Sequence, residues 1–192
     1  DVYKRQTYLR EHPSAFVRPG IAAGVATDVS LPYLINPIRE PGKDALLRTG
    51  DINLFRFAKQ AGFRTHWISS QESKLLANLG SRYLDVSITR EDHPVRFLKQ
   101  QDRALLDVLD AQRWAERNFV VLNLRTAHLP YAQNYRHEKT PAPWVDEGPN
   151  GQSNAYDNSV HYLDSLLAEV IADFDRLEGE RYLIITGDHG QR

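Results

Sequence analysis

Three times along the chain a helically spaced set of apolar residues runs into a short β-branched or aromatic stretch, which predicts an α/β fold: a wound, mainly parallel sheet with helices on both faces. The first helix is expected over residues 53–61, with Leu54, Phe55, Phe57, Ala58 and Ala61 on one face and Gly62 as its stop; the strand-like run Phe63, Arg64, Thr65, His66, Trp67, Ile68 follows. The second helix carries Leu105, Leu106, Val108, Leu109 and Trp114, and leads into a run over residues 118–124. The third carries Val160, Leu163, Leu166, Leu167, Val170, Ile171 and Phe174, closes at Gly179, and leads into Tyr182, Leu183, Ile184, Ile185 and Thr186. Residues 128–154 have another texture, with Pro130, Pro141, Pro143, Gly148, Pro149, Asn150 and Gly151 among tyrosines and charges. That predicts a long surface loop of the kind that usually serves function. No repeat or linker interrupts the pattern, so residues 1–192 are expected to form one incomplete domain.

Composition narrows the function without assigning it. With 24 basic and 25 acidic side chains there is no bulk field to gather nucleic acid or an anionic membrane. Cysteine is absent, so a zinc site would have to use oxygen and nitrogen donors. No apolar run approaches the roughly 20 residues that span a bilayer. Methionine is absent too, and the chain is expected to be truncated at both ends, with residues 1–6 resembling a translated sequencing adapter.

Chemistry-bearing residues collect at three places. Gly187, Asp188, His189, Gly190 and Gln191 follow the last strand-like run, where open α/β sheets bind their ligands. Asp and His there offer a hard oxygen and an imidazole, a usual pair for zinc, although Asp188 could instead cap a following helix. The small-residue run Ala22, Ala23, Gly24, Val25, Ala26, Thr27 leads toward a helix, with Pro32 expected in its first turn. A helix N-terminus beyond Thr27 would receive an anion, and a hydroxyl there becomes a nucleophile if a divalent metal lowers its pKa; otherwise Thr27 or Ser30 is a helix cap. His128 follows the second strand-like run by a few residues, at the same expected sheet edge. His12, His66, His93, His137 and His161 are expected to be structural or solvated, and Trp67, Trp114 and Trp144 to be core or loop anchors.

In this order the residues resemble a known family. The segment from Ala26 to Pro32 is similar to a threonine-nucleophile segment, and Trp67, Ile68, Ser69, Ser70, Gln71 to a W-I-S-x-Q strand end. His128, Leu129, Pro130 and Tyr131 resemble an H-G-P-x-Y loop, Tyr156 to Ser159 a Y-D-N-S helix, and Thr186 to Gly190 an S-D-H-G strand end. Together they resemble the catalytic domain of the alkaline phosphatase and sulfatase superfamily, and within it the membrane-anchored phosphoethanolamine transferases. The resemblance implies an alkaline-phosphatase-like fold and Thr27 as the catalytic nucleophile. It implies Zn2+, or another divalent metal, held by Thr27, Asp188 and His189, with His128 on the transferred phosphoryl oxygens or a second metal. The implied partners are a phosphatidylethanolamine donor and an envelope glycan or lipid acceptor, reached from the periplasmic face of a bacterial inner membrane. The transmembrane region, one Glu ligand upstream and one His downstream would lie outside residues 1–192. Ala23 and Tyr33 stand where the lipid A modifying members carry cysteines, which points to a cysteine-free branch, and the pattern assigns no role to Asn123. The alternatives are a phosphoglycerol transferase or another phosphodiesterase or sulfatase-type hydrolase, and a non-catalytic module that binds anionic headgroups. Ser30, Leu31, Pro32, Tyr33 and Leu34 lack the arginine that a formylglycine sulfatase motif requires.

Overall fold

The computed structural model describes residues 14–40, 42–136 and 142–190. Their elements run α1 (Thr27–Ile35), α2 (Asp44–Thr49), α3 (Leu54–Gln60), β1 (Arg64–Ser69), β2 (Val86–Ile88), α4 (Pro94–Gln100), α5 (Arg103–Asp110), β3 (Asn118–Asn123) and α6 (Gly151–Arg176). Short 3-10 turns lie at Ser73–Asn78, Ser81–Tyr83 and Tyr131–Asn134. Residues 1–6, His12, His137, Pro141 and Gln191, each drawn into the sequence reading, lie outside the described residues. The strands form a parallel sheet in the order β2-β1-β3. The chain divides into two compact units: Gly20–Pro94, Val108–Asn123 and Ile185–Arg192 make one, and Asp1–Pro19, Val95–Asp107 and Leu124–Ile184 the other.

In the unit that holds the sheet, β1 is central and buried from its second residue to its last. α3 delivers the chain into it. Asn53 caps that helix, its side-chain oxygen accepting from the N–H groups of Phe55 (2.9 Å) and Arg56 (3.2 Å). Gly62 ends it at φ +81°, a left-handed conformation that side chains resist. Phe55 then meets Trp67 and Phe119 edge-on, with ring centres 6.4 and 5.4 Å apart. Leu31, Ile35 and Leu79 complete this core. Each such side chain contributes about 1.5–3 kcal/mol on burial. Beside the sheet, Asp85 accepts from the N–H of Thr65 (2.9 Å) and pairs with Lys59 (2.5 Å). Lys59 and the Thr65 N–H hold its carboxyl down to about 2. His66, fully buried on β1 with its ring 5.2 Å from that of Trp114, has its pKa pushed down by burial.

The other unit is organised by α6. Tyr162 and Leu166 pack with Leu106 and Tyr135, and Arg103 pairs with Glu169 at 2.5 Å. The segment before α6 is tied down at several points. Buried Asn158 accepts from the N–H of Trp144 (3.1 Å) and donates to its carbonyl (2.8 Å), while Tyr135 and Arg136 both donate to Asp146. Those two donors, Tyr135 first, hold the Asp146 carboxyl below its ordinary value.

Parallel strands with helices agree with the pattern, but several elements differ. Residues 182–186 are not a strand: Tyr182 and Ile184 are more than four-fifths exposed, and no described strand pairs with them. Apolar β-branched composition yields a strand only where a neighbour supplies ladder partners. Asp188 and His189 therefore do not follow a buried strand. α5 ends at Asp110, so Trp114 lies outside it and is half-exposed against His66. Pro32 sits inside α1, not in its first turn. The loop after His128 already contains a 3-10 turn and gives way to helix at Gly151. β2 has only three residues, too few for a readable alternation, and α4 begins at Pro94, a residue suited to a first helical turn. Among the described residues no helix is long and apolar enough to cross a membrane.

Candidate active site around Thr27

Thr27 stands at the start of α1, and its hydroxyl is not used to cap that helix. The cap position is Ala26, in extended conformation, whose carbonyl accepts from the N–H groups of Val29 (3.1 Å) and Ser30 (2.9 Å). The capping reading of Thr27 and Ser30 is thereby set aside. The turn before it is tight: a Cβ on Gly24 would stand 2.8 Å from Cγ1 of Val29. Below Thr27 the helix is anchored by Leu31 and Ile35 in the core and by a polar chain. Asn53 donates to Asn36 (2.9 Å), and Asn36 donates to the carbonyl of Pro32 (2.9 Å). Tyr33, buried, donates to Asp44 at 2.8 Å, which raises its phenol above the ordinary value. Ser30 is fully buried, whereas Thr27 is only partly so. Of the two hydroxyls, Thr27 is the accessible one.

Thr27 Oγ1 lies 3.2 Å from His189 Nε2. His189 Nδ1 donates to the carbonyl of Gly190 (2.8 Å), which leaves Nε2 as the lone-pair nitrogen. Asp188 Oδ2 is 3.7 Å from the same Nε2, while its Oδ1 accepts the N–H of His189 (3.0 Å). The His189 side chain is 13% exposed and that of Asp188 30%. One imidazole nitrogen thus faces two oxygens. Donors around a tetrahedral zinc at about 2.0–2.2 Å stand roughly 3.3–3.6 Å from one another, so the separations of 3.2 and 3.7 Å bracket the spacing an ion would impose. Oxygen and imidazole nitrogen are donors of the kind zinc takes, and these two separations lie close to that spacing. Among the described residues no group of three or more His, Asp or Glu gathers as a metal site; the polar atoms that meet here are the Thr27 hydroxyl, the Asp188 carboxylate and His189 Nε2.

The carboxyl ends of β1 and β3, far apart in sequence, are stitched together by side chains. Asn123 donates to Ser69 Oγ (3.0 Å), the same oxygen accepts from the N–H of Gln71 (3.0 Å), and Gln71 reaches back to Asn123 (3.4 Å). That gives Asn123 a role: it fixes the two strand ends in register.

His128 belongs to the other compact unit and is exposed. Its turn is built on Asp102, a fully buried carboxylate. Asp102 accepts from the N–H of Arg125 (2.8 and 2.9 Å), the N–H of Thr126 (2.5 Å) and the Thr126 hydroxyl. Ala127 follows at φ +71°, the His128 N–H donates to Arg125 O (3.0 Å), and Asn134 donates to His128 O (2.7 Å). The His128 Nδ1 donates to Leu129 O at 2.6 Å, leaving Nε2 toward solvent. Nothing near Asp102 in the sequence announced this, because its partners lie more than twenty residues away. Asn53, expected as the first residue of the helix, is instead its cap, a role that an Asn directly ahead of an apolar helical face could have signalled.

A family model described as Sulfatase matches residues 9–192. The chain belongs to the Sulfatase family. An Escherichia coli (strain K12) protein provisionally described as a transferase, YhbX, is 30% identical over 142 residues, which cover 72% of this chain and 24% of its own length. Phosphoethanolamine transferase EptC of Escherichia coli (strain K12) is 25% identical over 185 residues, covering 84% and 31%. Among solved structures, the C-terminal periplasmic domain of phosphoethanolamine transferase EptC from Campylobacter jejuni superposes with a TM-score of 0.58 at 22% identity, covering 80% of this chain and 50% of that one. This sulfatase-family chain thus shares the fold of that domain and spans about a quarter to a third of the length of the two curated relatives.

Proposed function

We propose that this sulfatase-family protein transfers phosphoethanolamine from phosphatidylethanolamine to a cell-envelope glycan or lipid through a phosphothreonine intermediate at Thr27. The observation that carries the reading is the convergence of the Thr27 hydroxyl and the Asp188 carboxylate on His189 Nε2, at 3.2 and 3.7 Å, with Nδ1 tied to a carbonyl. The name of the EptC relatives supports the group transferred. Thr27, Asp188 and His189 would hold Zn2+, together with donors outside the described residues. When bound, such an ion lowers the pKa of a hydroxyl and offsets the charge that builds on phosphoryl oxygens. In the first half-reaction Thr27 Oγ1 attacks phosphorus, its proton leaves to solvent, and the bond from phosphorus to the lipid oxygen breaks, so that diacylglycerol departs with a proton. An acceptor hydroxyl or phosphate then attacks the same phosphorus, and Thr27 Oγ1 is the leaving group. α1 keeps Thr27 in place across both steps, because Leu31 and Ile35 anchor it in the core and Asn53 and Asn36 tie it at the Pro32 carbonyl. Placement in the periplasm is supported by the EptC domain whose fold it shares, and membrane anchoring by the family resemblance of the sequence alone.

The test is a transfer assay with labelled phosphatidylethanolamine and zinc. Thr27→Ala is expected to lower transfer by a factor of at least 10³, and Thr27→Ser to restore part of it. Thr27→Ala that transfers at the parent rate would overturn the reading.

A further inference from the structure

His66 is a buried ionisable group with no part in the proposed phosphotransfer. It sits on the central strand β1, opposite Val86 of β2 and Val120 of β3, and has no solvent exposure. A neutral imidazole carries one donor and one acceptor, yet neither ring nitrogen makes a hydrogen bond to a described residue. The Asn118 amide beside it is already spent on Ala115, accepting from its N–H (3.0 Å) and donating to its carbonyl (2.7 Å). Trp114 lies against the imidazole with ring centres 5.2 Å apart and is itself 46% exposed, so the indole is the outer ring of the pair. The chain is fixed on both sides of it. Gln112 donates through its side chain to Val108 O (2.9 Å), and Arg117 O accepts the N–H of Arg64 (2.9 Å). Between them residues 113–116 are held by exposed bonds, from Arg64 to Arg113 O (3.3 Å) and between Ala115 and Asn118.

Acid sets the two rings against each other. Protonation makes both nitrogens donors and places a charge where no described acceptor meets it. Burial holds the His66 pKa below its ordinary 6.5, and Arg64 on the same strand acts with burial; the Asn118 amide and Asp85, ahead of β2, act against it. The covering segment and its end add Arg113, Glu116 and Arg117, all exposed. The closed arrangement is therefore unaffected above pH 6.5 and penalised increasingly as pH falls below it. Relief comes where contacts cost least to break. β1 is hydrogen-bonded to a strand on each side, whereas residues 113–116 rely on bonds at the surface. We propose that Trp114 is an acid-released cover over His66: protonation of the imidazole frees residues 113–116 to swing out, and the charged ring then reaches water.

The test is acrylamide quenching of Trp114 at about pH 7.5 and about pH 5, read in a Trp144→Phe background in which the other indole, that of Trp67, is buried. The quenching constant is expected to rise about twofold in acid, the change from a half-exposed to a free indole, and to stay level in His66→Leu. No rise in the parent, or the same rise in His66→Leu, overturns the proposal. Trp114→Ala gives a second reading that leaves the core intact. With the indole gone, the His66 ring followed by NMR through a pH titration should titrate nearer 6.5 than in the parent. A ring that titrates identically with and without the indole overturns the proposal as well. Neither readout involves transfer at Thr27, so the cover stands or falls apart from that reading.

Discussion

His128 sits in a turn whose backbone is bound to the buried carboxylate of Asp102, 23 residues earlier, whereas His189 sits in a turn bound mainly to its own neighbours, Asp188 and Gly190. The first turn has its shape fixed by a remote acceptor in the interior, so its histidine is oriented before any ligand arrives. The second has one long-range polar tie, to Thr27 at 3.2 Å, and that tie joins the two groups proposed to share a metal. Ordering a locally held turn costs conformational entropy, which an ion binding there must offset. Of the two histidine turns, one belongs to the scaffold and the other is completed by its ligand.

The largest effect should come from removing the remote acceptor. Asp102→Ala leaves two backbone N–H groups and a hydroxyl buried without their partner, and is expected to cost about 3–5 kcal/mol, seen as a fall in Tm of about 10 °C. A loss below about 1 kcal/mol would mean that the His128 turn is not held as described.

Zinc should act on the other turn. At a hundredfold excess over Kd it is expected to stabilise the protein by about 2.7 kcal/mol, to slow amide exchange at residues 187–190, and to leave residues 125–128 as they were. A chelator should reverse the effect and His189→Ala should remove it. Equal slowing at both turns would erase the contrast.

The smallest effect separates burial from the mere number of bonds. Asp85, like Asp102, accepts a backbone N–H, but it is exposed and neutralised by Lys59. Its carboxyl titrates at about 2 in the folded protein against 3.8 unfolded, so its contribution is fully present above about pH 4 and is lost as pH falls through 2. Solvent screening holds that contribution to less than ~1 kcal/mol. Asp85→Asn should therefore be nearly neutral at pH 7 and show a shallower loss of stability between pH 4 and 2, measured by thermal unfolding across that range.

Legibility followed the range of the interactions. α3, Gly62 and β1 form one contiguous signal, and the pattern gave them within a residue or two; the cap that Asn53 supplies came only with the structure. Thr27, Asp188 and His189 were legible as residue types in order, yet only folding brings residues 162 apart to within 3.2 Å. The run at residues 182–186 misled because its apolar composition is strand-like while its exposure and missing ladder are not properties of the run itself. Asp102 and Asn123 were opaque for the same reason. Each matters through partners on distant segments.

The most direct test of the central claim is peptide mapping by mass spectrometry of the protein incubated with phosphatidylethanolamine and zinc, quenched in acid. The account predicts a phosphoethanolamine adduct on Thr27, present with zinc and lost in His189→Ala. An adduct on Ser30 or on another residue, with Thr27 unmodified, would contradict it.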